Sequence, residues 1–98
     1  MHKPVLLDEV LQYLAPRDGE TYIDATFGAG GYSTAILRAA NCHVIGIDQD
    51  PLAANIASKV TGNFKFIPGN FGDLANLVSE KVDGIVFDIG VSSMQIDT

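Results

Sequence analysis

Six positions in this 98-residue chain have the types and spacing to hold a small ligand: Asp24, Gly28, Gly30, Gly31, Asp48 and Asp88. Residues 24 to 31 read Asp-Ala-Thr-Phe-Gly-Ala-Gly-Gly, directly after the β-branched run Thr21-Tyr22-Ile23 and just before a helical pattern. Glycines there let the backbone turn sharply and expose bare N–H groups at a helix N-terminus, where the partial positive charge favours electron-rich atoms. That is the chemistry of a nucleotide-cofactor loop. Gly28-x-Gly30 matches the first positions of the dinucleotide pattern G-x-G-x-x-G, but the third is Ser33, and a plain turn is the other reading. Asp48 follows Gly28 by twenty positions at the end of a second strand-like run, where a carboxylate can accept both hydroxyl protons of an adenosine ribose. Helix capping is its competing role, although Asp50, directly before Pro51, is the better cap.

Asp24 separates the candidate cofactors. A pyrophosphate gains nothing from a carboxylate at the mouth of the first strand, whereas the ammonium of S-adenosylmethionine can be held by one, directly or through water. The same Asp could instead hydrogen-bond loop amides and fix the turn, and the two roles are compatible. Phe71, in a loop reaching the same end of the sheet, could pack on an adenine ring or staple the following helix, with Asp73 as that helix's N-cap.

Asp88-Ile-Gly-Val-Ser-Ser93 brings a carboxylate, a permissive glycine and two hydroxyls beside the glycine loop. In-line methyl transfer asks a protein to position the acceptor and relieve it of a proton. Asp88 could bond an exocyclic amine or contact the cofactor, and Ser92 and Ser93 could bind substrate or simply form a turn. No proton acceptor is assigned. His2 and His43 have no second ligand at metal spacing, and the lone Cys42 reads as a buried filler, so neither a metal site nor a disulfide is expected.

The elements that must position these residues alternate in type. Leu6, Leu7, Val10, Leu11 and Leu14 recur at helical spacing between Pro4 and Ala15, and Pro16 closes the run. A strand at 21 to 24 or 25 enters the loop, and a helix is expected from about Gly31 to Ala40. His43 to Ile47 reads as the second strand, Asp50-Pro51 opens a helix with Leu52, Ile56 and Val60 on one face, and Phe64 to Ile67 is the third strand. A short helix near Asp73 carries Leu74, Leu77 and Val78, and a nearly apolar fourth strand runs from Val82 to Ile89. Strands with near-continuous apolar runs, alternating with helices, predict a doubly wound, Rossmann-like α/β fold with a parallel sheet in the order 3-2-1-4, preceded by an N-terminal helix. The ligand crevice then falls at the switch between strands one and four, beyond the strand C-termini.

Composition narrows the function classes. Hydrophobic residues are 47% and charged residues 18%, a globular balance, and the apolar runs are strand-length, which predicts no membrane span and no signal peptide. A single soluble, cytoplasmic domain is the expectation. Acidic residues outnumber basic ones twelve to six, for a net charge of −6, so this stretch lacks the basic face that phosphate neutralisation requires.

With these residues in hand, the chain resembles the N-terminal part of the bacterial 16S ribosomal RNA cytosine-N4 methyltransferase family, ribosomal RNA small-subunit methyltransferase H. Four blocks carry the resemblance: 2–10 (His-Lys-Pro-Val-Leu-Leu-Asp-Glu-Val), 24–31, 46–51 (Gly-Ile-Asp-Gln-Asp-Pro) and 83–97, the last with the specific core Asp-Ile-Gly-Val-Ser-Ser. The resemblance implies S-adenosylmethionine as cofactor and 16S ribosomal RNA or the small ribosomal subunit as partner. It implies that Gly30, Gly31 and Tyr32 line the methionine end, that Asp48 binds the ribose, and that Phe71, Asp88 and Gln95 complete the pocket. Gln95 rests on resemblance only. Ala29 and Tyr32 stand where family members often have Arg and His, so backbone contacts should carry over better than side-chain ones. The family continues beyond the point matching Thr98 with further strands and a helical insertion, so the resemblance makes residues 1–98 a partial cofactor-binding domain, inactive alone, with the fourth strand an apolar edge open to self-association. A nicotinamide-dependent oxidoreductase domain, discouraged by Ser33 and Asp24, and a non-catalytic truncated module are the competing readings.

Overall fold

The computed structural model describes residues 7–25, 27, 28, 30–87 and 90–93, with the backbone alone for Phe71 and for 90–93. Its elements in chain order are α1 (Leu7–Leu14), β1 (Thr21–Asp24), α2 (Gly31–Ala39), β2 (His43–Asp48), α3 (Pro51–Ala57), β3 (Phe64–Pro68), a 3-10 turn (Phe71–Asp73), α4 (Leu74–Leu77), β4 (Gly84–Phe87) and β5 (Gly90–Ser93). The sheet order is β3-β2-β1-β4-β5, with β1 to β4 parallel as expected.

Parallel register aligns the rows that face each layer of helices. Tyr22 pairs with Val44 and Val44 with Phe64, while Asp24 pairs with Gly46 and Val86. Tyr22, Val44 and Val86 pack with Val10 and Leu14 of α1 and Ile36 of α2, and Phe64 and Phe66 lie against Phe27 and the Ala53 and Ala57 face of α3. The opposite row, Ile23, Ile45 and Ile47, is covered by Leu74, Leu77 and Val78. Each fully buried side chain of this size contributes about 1.5–3 kcal/mol relative to exposure, so the two faces bind the helices to the sheet.

Local chemistry explains the helix ends. Asp50 accepts from the Leu52 N–H at 2.9 Å, and Pro51 occupies the first turn, where its missing N–H costs nothing. α1 stops at Ala15, which takes a left-handed φ of 48° just before Pro16.

Three expectations are corrected. The fourth strand begins at Gly84 and not at Val82, and it is described as far as Phe87, with Asp88 and Ile89 outside the described residues; just before it Asp83 clamps Thr21, its carboxylate accepting from the Thr21 N–H at 2.9 Å and its own N–H donating to the Thr21 carbonyl at 2.7 Å. That strand is not an open edge either, since β5 pairs with it antiparallel from Gly84↔Ser93 to Phe87↔Gly90. Asp73 stands at the start of α4 but makes no capping bond, because its carboxylate accepts from the Asn76 side chain at 2.6 Å and Asn70 Oδ1 takes the Gly72 N–H at 2.8 Å instead.

Candidate functional site

Three loops leave the C-terminal ends of β1, β2 and β3 side by side, and hydrogen bonds stitch them together. The Gly28 N–H donates to Asp48 Oδ2 at 3.0 Å, and Asp48 Oδ1 accepts from the Asp50 N–H at 2.9 Å. The Gly69 N–H donates to the Asp48 carbonyl at 3.1 Å, and Asn70 Nδ2 to Gln49 Oε1 at 3.2 Å, which draws the loop carrying Phe71 to the end of β2. On the other flank the Ala25 N–H donates to the Val86 carbonyl at 2.8 Å, so β4 ends beside the glycine loop. This is the predicted switch point between β1 and β4.

Asp48 is half-buried, and each carboxylate oxygen that takes one backbone N–H keeps a second lone pair. It can therefore accept from a ligand's hydroxyls without releasing the loop. Gly30 is buried with φ 83°, a left-handed conformation that favours glycine, and it precedes α2 without any side-chain cap. The first N–H groups of a helix have no partner within it, so the start of α2 offers donors to a ligand lying on the loop. A Cβ at Gly30 would already touch the Phe27 ring at 3.4 Å and Ile56 at 3.7 Å.

Asp24 is placed differently from its simplest expected role. Its carboxylate is fully buried and accepts from Ser33 Oγ at 2.7 Å, with Ser33 also fully buried, so it faces the root of α2 and presents no surface to a ligand. The structure ties this carboxylate to the start of α2 through the Ser33 hydroxyl. Gly31 is exposed at the first position of α2, and Tyr32 packs back onto the core between α1 and α2. Phe71 lies in the 3-10 turn after β3, its ring outside the described residues, as are Asp88 and Gln95 entirely. Ser92 and Ser93 fall in β5, paired to Ile85 and Gly84.

The sequence reading missed Phe27. This loop aromatic is fully buried and packs on Phe64 and Phe66 with ring centroids 5.4 and 5.5 Å apart, which roots the glycine loop in the core. Gly46 of β2, lacking a side chain, leaves room for the Phe27 and Phe64 rings. A large aromatic inside an otherwise small-residue loop was the available signal.

The remaining reactive side chains are structural. Cys42 is buried against the Ile36 carbonyl, and burial pushes its thiol up. His43 Nδ1 is held by Asn63, and its Nε2 lies 3.8 Å from Glu80. No cluster of metal-ligating residues occurs among the described residues, and no described helix is long and apolar enough to cross a membrane. A groove of about 880 Å³ opens at the far end of the sheet, lined by Leu37, Cys42 and Val60 with Arg38 in the last turn of α2 and Lys59 in the turn after α3. Arg38 compensates the α2 dipole, and the groove is remote from the loops that carry the site's chemistry.

A model of the MraW methylase family matches residues 1–98. The chain is 52% identical over 101 residues to ribosomal RNA small subunit methyltransferase H of Rickettsia massiliae, an alignment covering 98% of this chain and 33% of that protein. The protein of the same name from Parvibaculum lavamentivorans is also 52% identical, over 104 residues, covering 98% of this chain and 31% of its own length. The chain thus spans about a third of the length of these relatives. Among solved structures, an rRNA methylase from Streptococcus thermophilus superposes with a TM-score of 0.68 at 19% identity, over 89% of this chain and 55% of that one. The C-terminal domain of precorrin-6Y C5,15-methyltransferase from Rhodobacter capsulatus gives 0.67 at 24% identity, over 80% of this chain and 46% of its own. These two likenesses establish the fold.

Proposed function

The chain belongs to the MraW methylase family, and from that premise we propose that it is the cofactor-binding part of an S-adenosylmethionine-dependent methyltransferase acting on the N4 amine of a cytidine in 16S ribosomal RNA. The observation that carries this reading is the Gly28 to Asp48 hydrogen bond, which sets a carboxylate suited to a ribose diol against a glycine loop at the sheet's switch point. The relatives named above, called ribosomal RNA small subunit methyltransferase H, point to the substrate.

In this reading Asp48 accepts the two ribose hydroxyl protons while keeping the Gly28 N–H. Gly30 and Gly31 let the methionine end approach the backbone at the start of α2, with Tyr32 contributing its backbone and Phe71 reaching the adenine. Asp88 and Gln95 complete the pocket. The cofactor supplies an activated methyl group, and the protein's work is to hold it in line with the acceptor amine. Residues 1–98 form a single partial domain in this reading, and with a net charge of −6 they supply no phosphate-binding platform, so RNA recognition and turnover belong to the longer protein. A cytoplasmic location is part of the same proposal.

Calorimetric titration of the chain with S-adenosylhomocysteine tests the pocket. Saturable binding that is lost in Asp48→Ala supports it. A folded sample that gives no heat, or that instead enhances the fluorescence of a reduced nicotinamide cofactor, overturns it.

A further inference from the structure

We propose that Ser33 is a positioning residue for the methionine end of the cofactor, locking the root of α2, and with it Gly30 and Gly31, onto the buried carboxylate of Asp24. The proposal rests on the cofactor reading above and extends it to a residue outside the ligand-contacting set.

Asp24 is fully buried in a row of the sheet whose pairing neighbours are Gly46 and Val86, where a polar side chain costs free energy unless it is hydrogen-bonded. Such a group needs hydrogen-bond partners, and Ser33 supplies one at 2.7 Å from inside the first turn of α2. The bond joins the last residue of β1 to the third residue of α2, so it closes the glycine loop at its base. α2 has no side-chain N-cap and no acidic residue in its first turn, and the Ser33 hydroxyl is a tether between this helix start and β1.

The loop is then held from two directions. Gly28 is drawn toward β2 by Asp48, and the Gly30 N–H turns back to the Phe27 carbonyl at 2.6 Å. The helix start is drawn toward β1 by Asp24 through Ser33. These anchors serve different parts of a ligand: Asp48, tied to β2 and β3, holds the ribose, whereas the α2 root sets the donors that meet the amino-acid end. Loss of the Ser33 hydroxyl should therefore release one end of the ligand and not the other.

The test compares S-adenosylhomocysteine with 5′-methylthioadenosine, which keeps the adenosine and lacks the amino-acid carboxylate and ammonium. In calorimetric titrations Ser33→Ala is expected to weaken S-adenosylhomocysteine binding about tenfold, the scale of one buried hydrogen bond, with methylthioadenosine affinity changed less than about twofold. Ser33→Thr, which keeps the hydroxyl, should recover most of the loss. Ile36→Val, which trims the same helix in the core, should lower the melting temperature and leave both affinities as they are. If Ser33→Ala does not fold, Ser33→Cys carries the same comparison, since it keeps the side-chain volume with a poor donor. Equal weakening of both ligands, or unchanged binding of S-adenosylhomocysteine, overturns the proposal. Failure of the unsubstituted chain to bind either ligand is a separate result, which removes the cofactor reading itself.

Discussion

The backbone N–H of Gly28 donates to the carboxylate of Asp48 at 3.0 Å, joining the glycine loop after β1 to the end of β2 across twenty residues of chain. One side chain thus serves as structural anchor and as candidate ligand acceptor. Its two oxygens each hold a backbone N–H, from Gly28 and Asp50, and a carboxylate oxygen that takes one such bond can accept a second.

Asp48→Asn should accordingly separate the two jobs. The amide oxygen can still accept from Gly28, but the NH₂ group faces Asp50 or the ribose as a donor and the charge is gone. S-adenosylhomocysteine affinity is expected to fall about 10- to 100-fold, the scale of losing hydrogen bonds to a charged acceptor, with a smaller change in thermal midpoint than Asp48→Ala. Calorimetry and a melting curve on the same samples measure both.

Gly46→Ala tests how the loop is rooted. A Cβ there would lie 2.8 Å from the Phe64 ring and 2.9 Å from the Phe27 ring, and both aromatics would have to move. Overpacking of this kind costs about 1–3 kcal/mol, read as a lower denaturant midpoint with an unchanged slope. Because Phe27 belongs to the glycine loop, weaker cofactor-analogue binding should accompany the loss of stability. Unchanged stability would show that the aromatic cluster adjusts freely.

Asp83→Ala removes the clamp between the starts of β1 and β4. The Thr21 N–H loses its carboxylate acceptor while the backbone bond from Asp83 to Thr21 persists. A loss of about 1–3 kcal/mol is expected in equilibrium unfolding, with analogue affinity unchanged because the clamp lies at the opposite end of the strands from the site.

Tyr22 predicts an alkaline limit to stability. Burial, reinforced by the hydrogen bond its hydroxyl donates to Glu20, raises this phenol above the ordinary tyrosine range, while the Arg17 N–H donating to it at 2.9 Å acts the other way. A pKa raised in the folded state means the unfolded chain loses the proton first. The stabilisation is therefore complete below about pH 10, the ordinary tyrosine pKa, and declines as pH rises beyond it. Tyr22→Phe should be less stable near neutrality by about 1 kcal/mol and show a flatter decline above pH 10 in urea melts.

Much of this molecule was legible in the sequence because its signals are local. The apolar spacing of Val10, Leu11 and Leu14 marks α1, the Asp50-Pro51 pair marks the start of α3, and the strand that runs into Gly28-Ala-Gly-Gly31 announces a ligand loop at a helix N-terminus. Each is a matter of one element's periodicity or one turn's backbone chemistry, and β-α alternation with right-handed crossovers then leaves few sheet orders, among them the observed β3-β2-β1-β4. What only the tertiary structure decided are the partnerships between elements. The carboxylate of Asp24 could have faced ligand or core, and it faces Ser33 because the β1 register places it in the row beneath α2. Asp83 clamps Thr21 at the start of β1, Phe27 turns from a loop into the Phe64 and Phe66 cluster, and β5 covers the β4 edge. Those outcomes depend on which side chains meet across the sheet once it has closed, and no pattern along one segment encodes its neighbour.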